Sequence, residues 1–309
     1  MSKVIIGIHG LRNKPAKELL REWWFASIEE GFKVVNKPVP KFEFEMAYWA
    51  HYLHPEHQDH ALTDRGHPLF LSEQYEPGAT FGPRDPGPLR KRFISELRKQ
   101  ILMITVGGPG FGKNLLISDI ILQTMFEELD VYYHEYLKDS DGARRPAKDL
   151  IRGELAELLR KHQGRDIMLV AHSMGAIIAY DVLIHTVPHI PIHTMITLGA
   201  PLAFPLVLDK ITSEQGIERG PDEKMPTPES IQRRWYNFSD LEDVTALNYN
   251  LRKVYAENSY HIKPFDQIVY NNYESEGILN PHKSYGYLRT ADFTHAVEEF
   301  LADRPITLR

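Results

Sequence analysis

The pentapeptide Ala171-His172-Ser173-Met174-Gly175 joins a short apolar run, Asp166–Ala171, to a helical run, Ala176–Tyr180. A serine between small residues on a cramped strand-to-helix turn has the pattern of a nucleophile elbow, G-x-S-x-G, here with alanine in the first small position. Such a turn lifts the hydroxyl out of the sheet and makes the next amide, that of Met174, an oxyanion donor. A serine becomes a nucleophile when a histidine takes its proton and a carboxylate orients that histidine. Two acids, Asp240 and Asp243, follow the strand-like run Arg234–Phe238. His282 lies within Asn280-Pro281-His282-Lys283-Ser284-Tyr285, beyond the run Gln267–Tyr270. His295 falls in the last helix, away from its apolar face, and reads as solvated; His172, beside the serine, reads as packing.

Those groups need a frame that brings distant segments together. Apolar or alternating runs predict strands at Val4–Ile8, Phe42–Met46, Asp166–Ala171, Thr194–Leu198, Arg234–Phe238 and Gln267–Tyr270. Apolar residues at helical spacing predict helices after Pro15 (Leu20, Trp24, Ile28), from Pro88 (Leu89, Phe93, Leu97, Ile101), over Leu115–Tyr136, from Pro146 (Ile151, Leu155, Leu159), and over Ala291–Leu301. Strands alternating with helices predict an α/β fold with a mostly parallel central sheet. Gly66–Pro88 is rich in glycine and proline and reads as a loop. The uncharged stretch Val182–Leu208 is long enough to cross a bilayer, but Pro188, Pro191, Pro201 and Pro205 argue instead for a buried strand with flanking loops.

With Ile8-His9-Gly10-Leu11 at the other end of the chain, the elbow resembles the α/β-hydrolase superfamily, in particular its lipase-like serine esterases. That resemblance implies an α/β-hydrolase fold in one domain, 1–309, with a helical cap inserted at 52–141, where the similarity lapses. It implies an oxyanion hole made by the backbone N–H groups of Leu11 and Met174, and the chain order nucleophile, acid, histidine. Asp243-Val244 is similar to the acid-bearing Asp-Xaa-Val of such relatives, which favours Asp243 over Asp240. His282 and Tyr285 match a recurrent His-x-x-Tyr, which favours His282 over His295. Ile196–Pro201 resembles the Gly-small-Pro turn that closes the strand after the nucleophile helix. The implied activity is a serine carboxylic-ester hydrolase acting without a cofactor or metal on a small-molecule acyl substrate. Thioesters, amides and lactones use the same triad. Phe70, Leu71, Tyr75 and Phe81 could line an acyl pocket or belong to the core.

Other readings compete less well. Thirty-six basic and 42 acidic residues in 309 leave a net charge of −6, evenly spread, which argues against a nucleic-acid surface. The absence of cysteine removes disulfides, thiolate metal sites and cysteine nucleophiles. Gly107–Asn114 is nearly a phosphate-binding loop, so a nucleotide-binding protein is the alternative class. However, Asn114 replaces the magnesium-binding Ser or Thr, and a helical pattern precedes it where a strand is needed. His51, His54, His57 and His60 recur every three residues, as zinc ligands can, yet Pro55 interrupts the spacing, and a polar rim is the plainer reading. The apolar run near Met1 is too short for a signal segment, and a soluble cytoplasmic protein without a transmembrane segment is expected.

Overall fold

The computed structural model describes residues 2–78, 117–216, 223–246 and 249–303. Gly107–Asn114, Phe81 and the helix expected from Pro88 lie outside the described residues. The main elements are β1 (Lys3–Ile8), α1 (Lys17–Val34), β2 (Glu43–Ala47), α2 (Ile117–His134), α3 (Ala147–Lys161), β3 (Asp166–His172), α4 (Met174–Asp181), β4 (Ile192–Leu198), α5 (Pro205–Gln215), β5 (Ile231–Ser239), α6 (Leu251–Val254), β6 (Phe265–Ile268), α7 (Ser284–Leu288) and α8 (Ala291–Ala302). The six strands form one parallel sheet in the order β2-β1-β3-β4-β5-β6.

The composition of the strands follows from burial on both faces. β3 and β4 are buried at every residue; β3 reads as an apolar run over Ile167–Ala171, while β4 sets His193, Thr194 and Thr197 among Ile192, Met195, Ile196 and Leu198. Val4, Ile6 and Ile8 pack with Leu169 and with Met125, Leu155 and Ile177 from the helices of one face. Ile5, Val170 and Ile196 face the other side, where Trp24 and Ile28 of α1 meet Phe293 and Val297 of α8. The central sheet flanked by helices is that of an α/β-hydrolase-like fold. Among the described residues no helix is long and apolar enough to cross a membrane.

Local expectations change at β6, at Pro15 and along Val182–Leu208, and β5 begins three residues before the expected run, at Ile231. β6 begins two residues before the expected run, because its pairing with Tyr236–Ser239 starts at Phe265, whose ring is half exposed on this edge strand. Pro15 precedes α1, with its backbone in a bridge to Gln58, and the helix starts at Lys17. Val182–Leu208 holds a strand, but its flanks are not simple loops. Val182–Thr186 prolongs α4 as a π turn, and Pro205 opens α5, where a missing N–H costs nothing.

A buried ion network ties α2, α3 and α4 together. Arg152 Nη2 donates to Asp181 Oδ2 at 2.8 Å, and Tyr132 and Tyr133 donate to the same oxygen. Burial pushes the Asp181 carboxyl up, and Arg152 opposes the shift. Arg152→Ala is therefore expected to lower the unfolding free energy in a urea titration by about 3–5 kcal/mol, since it leaves a buried carboxylate uncompensated. Lys161→Ala, which removes an exposed partner of Glu45, is expected to cost less than about 1 kcal/mol. Equal losses for the two variants would contradict this account.

Candidate active site

Sheet topology decides where a site can form. In this order the chain leaves β1 toward β2 and later returns on the other side as β3, so β1 and β3 flank a topological switch point. Crevices for ligands open there, beyond the carboxyl ends of the strands. Gly10 follows β1 and Ser173 follows β3, and the two lie against each other: a Cβ on Gly10 would meet Ser173 Cβ at 2.7 Å.

Ser173 has φ 54° and ψ −125°, a backbone conformation that costs a residue with a side chain about 1–3 kcal/mol. The neighbourhood holds it there. Ser173 N donates to Leu198 O at 3.0 Å, and every residue of β3 and α4 is buried. Gly175 must be glycine, because a Cβ there would sit 2.6 Å from His9 O. Met174 is the first residue of α4.

His282 Nε2 lies 3.0 Å from Ser173 Oγ, and its Nδ1 lies 3.0 Å from each oxygen of Asp243. A proton on Nδ1 is thus shared with the carboxylate, which leaves Nε2 as acceptor for the serine hydroxyl. The loop carrying this ring is tied down on three sides. His282 N donates to Asn280 Oδ1, Asn271 Nδ2 donates to Lys283 O, and His172 Nε2 donates to His282 O at 2.7 Å. Burial and the adjacent His282 push His172 well below the usual imidazole range, so it stays neutral. His172 therefore does more than pack: it holds the backbone of its neighbour. His295 is exposed on α8, as its helical position implied.

Asp243 is fully buried, and its oxygens are fed by Thr245 N (2.9 Å), Thr245 Oγ1 (2.8 Å) and Tyr287 Oη (2.7 Å). Tyr287 Oη accepts from Asp240 N, which directs its own proton at Asp243. Burial and Asp243 raise the Tyr287 phenol well above its ordinary value and keep it a donor. Gly199, at φ 53°, closes the far side, where any Cβ would collide with Asp243 Oδ2. Asp240 has different work: it accepts from Glu242 N and Asn271 N, and burial pushes its carboxyl up to about 6. Thr245 and Tyr287 escaped sequence reasoning; Tyr285, the tyrosine of the His-x-x-Tyr match, instead packs against Trp23, Tyr75 and Tyr273.

The loop after β1 is braced at both ends. Trp49 N donates to His9 Nε2, so the His9 proton sits on Nδ1 and is given to Gly10 O at 2.8 Å. Burial pushes His9 well below its usual range, and its ring stacks on Trp49. Two residues on, Arg12 N donates to Glu128 of α2. Leu11 lies between these braces, and with His172 and His282 it lines a cavity of about 120 Å³. Leu71, Glu73, Lys14 and Lys283 form much of the remaining wall. The strap bearing Leu71 and Glu73 is anchored through Gly78, whose N–H donates to Glu30, the partner of the fully buried Arg289.

The histidines at 51, 54, 57 and 60 do not converge. His51 approaches Glu154 and His54 approaches Glu128, at 3.6 and 3.7 Å, while His60 lies beside Asp59. Among the described residues the set able to offer three ligand atoms to one ion is Glu43, Glu45 and His162. Lys161 and Arg165 already neutralise those two carboxylates.

Comparison with curated proteins gives no match. A family model does match, over a span that holds Ser173, Gly199, Asp243 and Thr245 while leaving Leu11 and His282 outside. Residues 147–250, about a third of the chain, match the PGAP1-like alpha/beta domain, so this part of the chain is similar to a lipase/esterase-like α/β hydrolase.

Proposed function

We propose that the protein is a serine hydrolase that cleaves a carboxylic ester through Ser173, His282 and Asp243. The observation that carries this reading is the unbroken relay from Ser173 Oγ through both nitrogens of His282 to a buried, fully hydrogen-bonded Asp243. In the first half-reaction Ser173 Oγ bonds to the acyl carbon as its proton passes to His282 Nε2. The amides of Leu11 and Met174 take the oxyanion, each donor contributing about 3 kcal/mol at the transition state. Collapse breaks the ester C–O bond, and the departing alcohol leaves with the proton from Nε2. A water then gives a proton to His282 and attacks the acyl-enzyme, and collapse returns the proton to Ser173 and releases the acid. The whole chain acts as one hydrolase domain, since the groups of the mechanism run from residue 11 to residue 282. Of the proposed cap segment 52–141, the described residues Leu71 and Glu73 stand on the cavity wall.

A fluorophosphonate probe tests the reading directly. The wild-type protein is expected to carry one covalent adduct by intact-protein mass spectrometry, located on the peptide containing Ser173, and Ser173→Ala is expected to carry none. An adduct that persists in Ser173→Ala would remove Ser173 from the mechanism.

A further inference from the structure

The charged groups on the cavity wall reverse the sign of the chain as a whole. Three cations, Arg12, Lys14 and Lys283, face one carboxylate, Glu73, in a protein of net charge −6. Glu73 is engaged by Lys283 Nζ at 2.8 Å and Asn280 Nδ2 at 2.6 Å. Although burial opposes it, Lys283 and Asn280 hold Glu73 ionised, its carboxyl down at about 2. Lys14 is differently placed. Its ammonium donates to the backbone carbonyls of Leu11 and Arg12, and among the described residues no carboxylate forms an ion pair with it. A half-buried ammonium beside neutral acceptors and a second lysine gains from an anion that joins it. Burial and then Lys283 push Lys14 down to about 7.

We propose that Lys14 and Lys283 form an anion subsite beside His282, so that the preferred ester carries a carboxylate or a phosphate close to its scissile carbonyl. The inference rests on the hydrolase reading above. It makes Lys14 and Lys283 specificity residues, with Lys14 also steadying the loop that bears Leu11.

Two matched substrate pairs test it: 4-nitrophenyl valerate against mono-4-nitrophenyl glutarate, and ethyl acetate against 2-acetoxyethyl phosphate. The anionic member of at least one pair is expected to have a kcat/KM about tenfold higher or more, in keeping with hydrogen bonds to charged groups. The favoured pair tells carboxylate from phosphate. In Lys14→Met and Lys283→Met the ratio is expected to fall toward one, while Lys283→Arg keeps it. A purely structural loss would lower both members of a pair together and leave their ratio unchanged. The groups facing the Lys14 ammonium are Lys283, Glu128, Arg12 and Glu73, with His9 and His172 neutral behind it. Because the cation exists below its pKa, the glutarate preference is expected to be largest near pH 6 and to decline as pH rises through about 7. Anionic esters turned over no faster than their neutral twins in both pairs, or a preference that survives both methionine variants, overturn the subsite. Fluorophosphonate labelling of the same samples separates the failures: labelled Ser173 without the preference defeats the subsite alone, and absent labelling defeats the hydrolase reading.

Discussion

Ser173→Ala is expected to lower kcat/KM for ester hydrolysis by about 10⁶, the scale on which other enzymes of this type lose activity with their nucleophile. The size of the effect follows from the geometry. Without Oγ, His282 Nε2 has no hydroxyl at 3.0 Å to deprotonate, so the acyl-enzyme route is closed. The fold should be barely affected, because the positive φ of Ser173 is imposed by its neighbours and alanine tolerates it about as well. Stopped assays on protein with unchanged circular dichroism would check this, and a loss below about tenfold would place the chemistry elsewhere.

Asp243→Asn is expected to lower kcat/KM by about 10⁴, because an amide facing Nδ1 favours the wrong tautomer of His282 and no longer stabilises the imidazolium. The pocket amplifies the defect. Thr245 N, Thr245 Oγ1 and Tyr287 Oη all donate toward a carboxylate, so the asparagine NH2 would meet another donor. Asp240→Asn is the control: it disturbs bonds to Glu242 N and Asn271 N but not the ring of His282. Its kcat/KM is expected to stay within about tenfold of wild type, because its carboxylate never touches the reacting atoms. Similar losses in the two variants would transfer the acid role, or divide it.

Much of the frame was legible because burial on both faces of a parallel sheet leaves short, mostly apolar runs, unbroken over Ile167–Ala171 and interrupted only by threonine over Thr194–Leu198. The elbow was legible for a local reason as well, since small residues must flank Ser173 whatever surrounds it. What stayed hidden was long-range. Tyr287 lies far along the chain from Asp243, and nothing in its own neighbourhood distinguishes it from Tyr285 two positions earlier. The short helix α7 turns one phenol to the acid and the other to the aromatic cluster beside Trp23. His172 looked inert because its partner is a backbone carbonyl, which carries no signature in sequence. Lys14 is invisible in the same way, its acceptors being carbonyls of its own loop. β6 was misplaced because edge strands bury less, and alternation blurs where Phe265 is half exposed.

The parallel pairing of β1 with β3 sets Ile8 beside Ala171. Neither strand can find the other through a tight hairpin, so the chain must close a very long loop before the two sides of the cleft face each other. Pairings of that kind form late and slowly, since the entropy of closure precedes any reward from contact. In a refolding or newly made chain, helices and local turns can therefore be complete while Ser173 still has no neighbouring loop after β1. The proposed site is therefore a property of the finished topology, and partly folded forms are expected to lack it, however helical they already are.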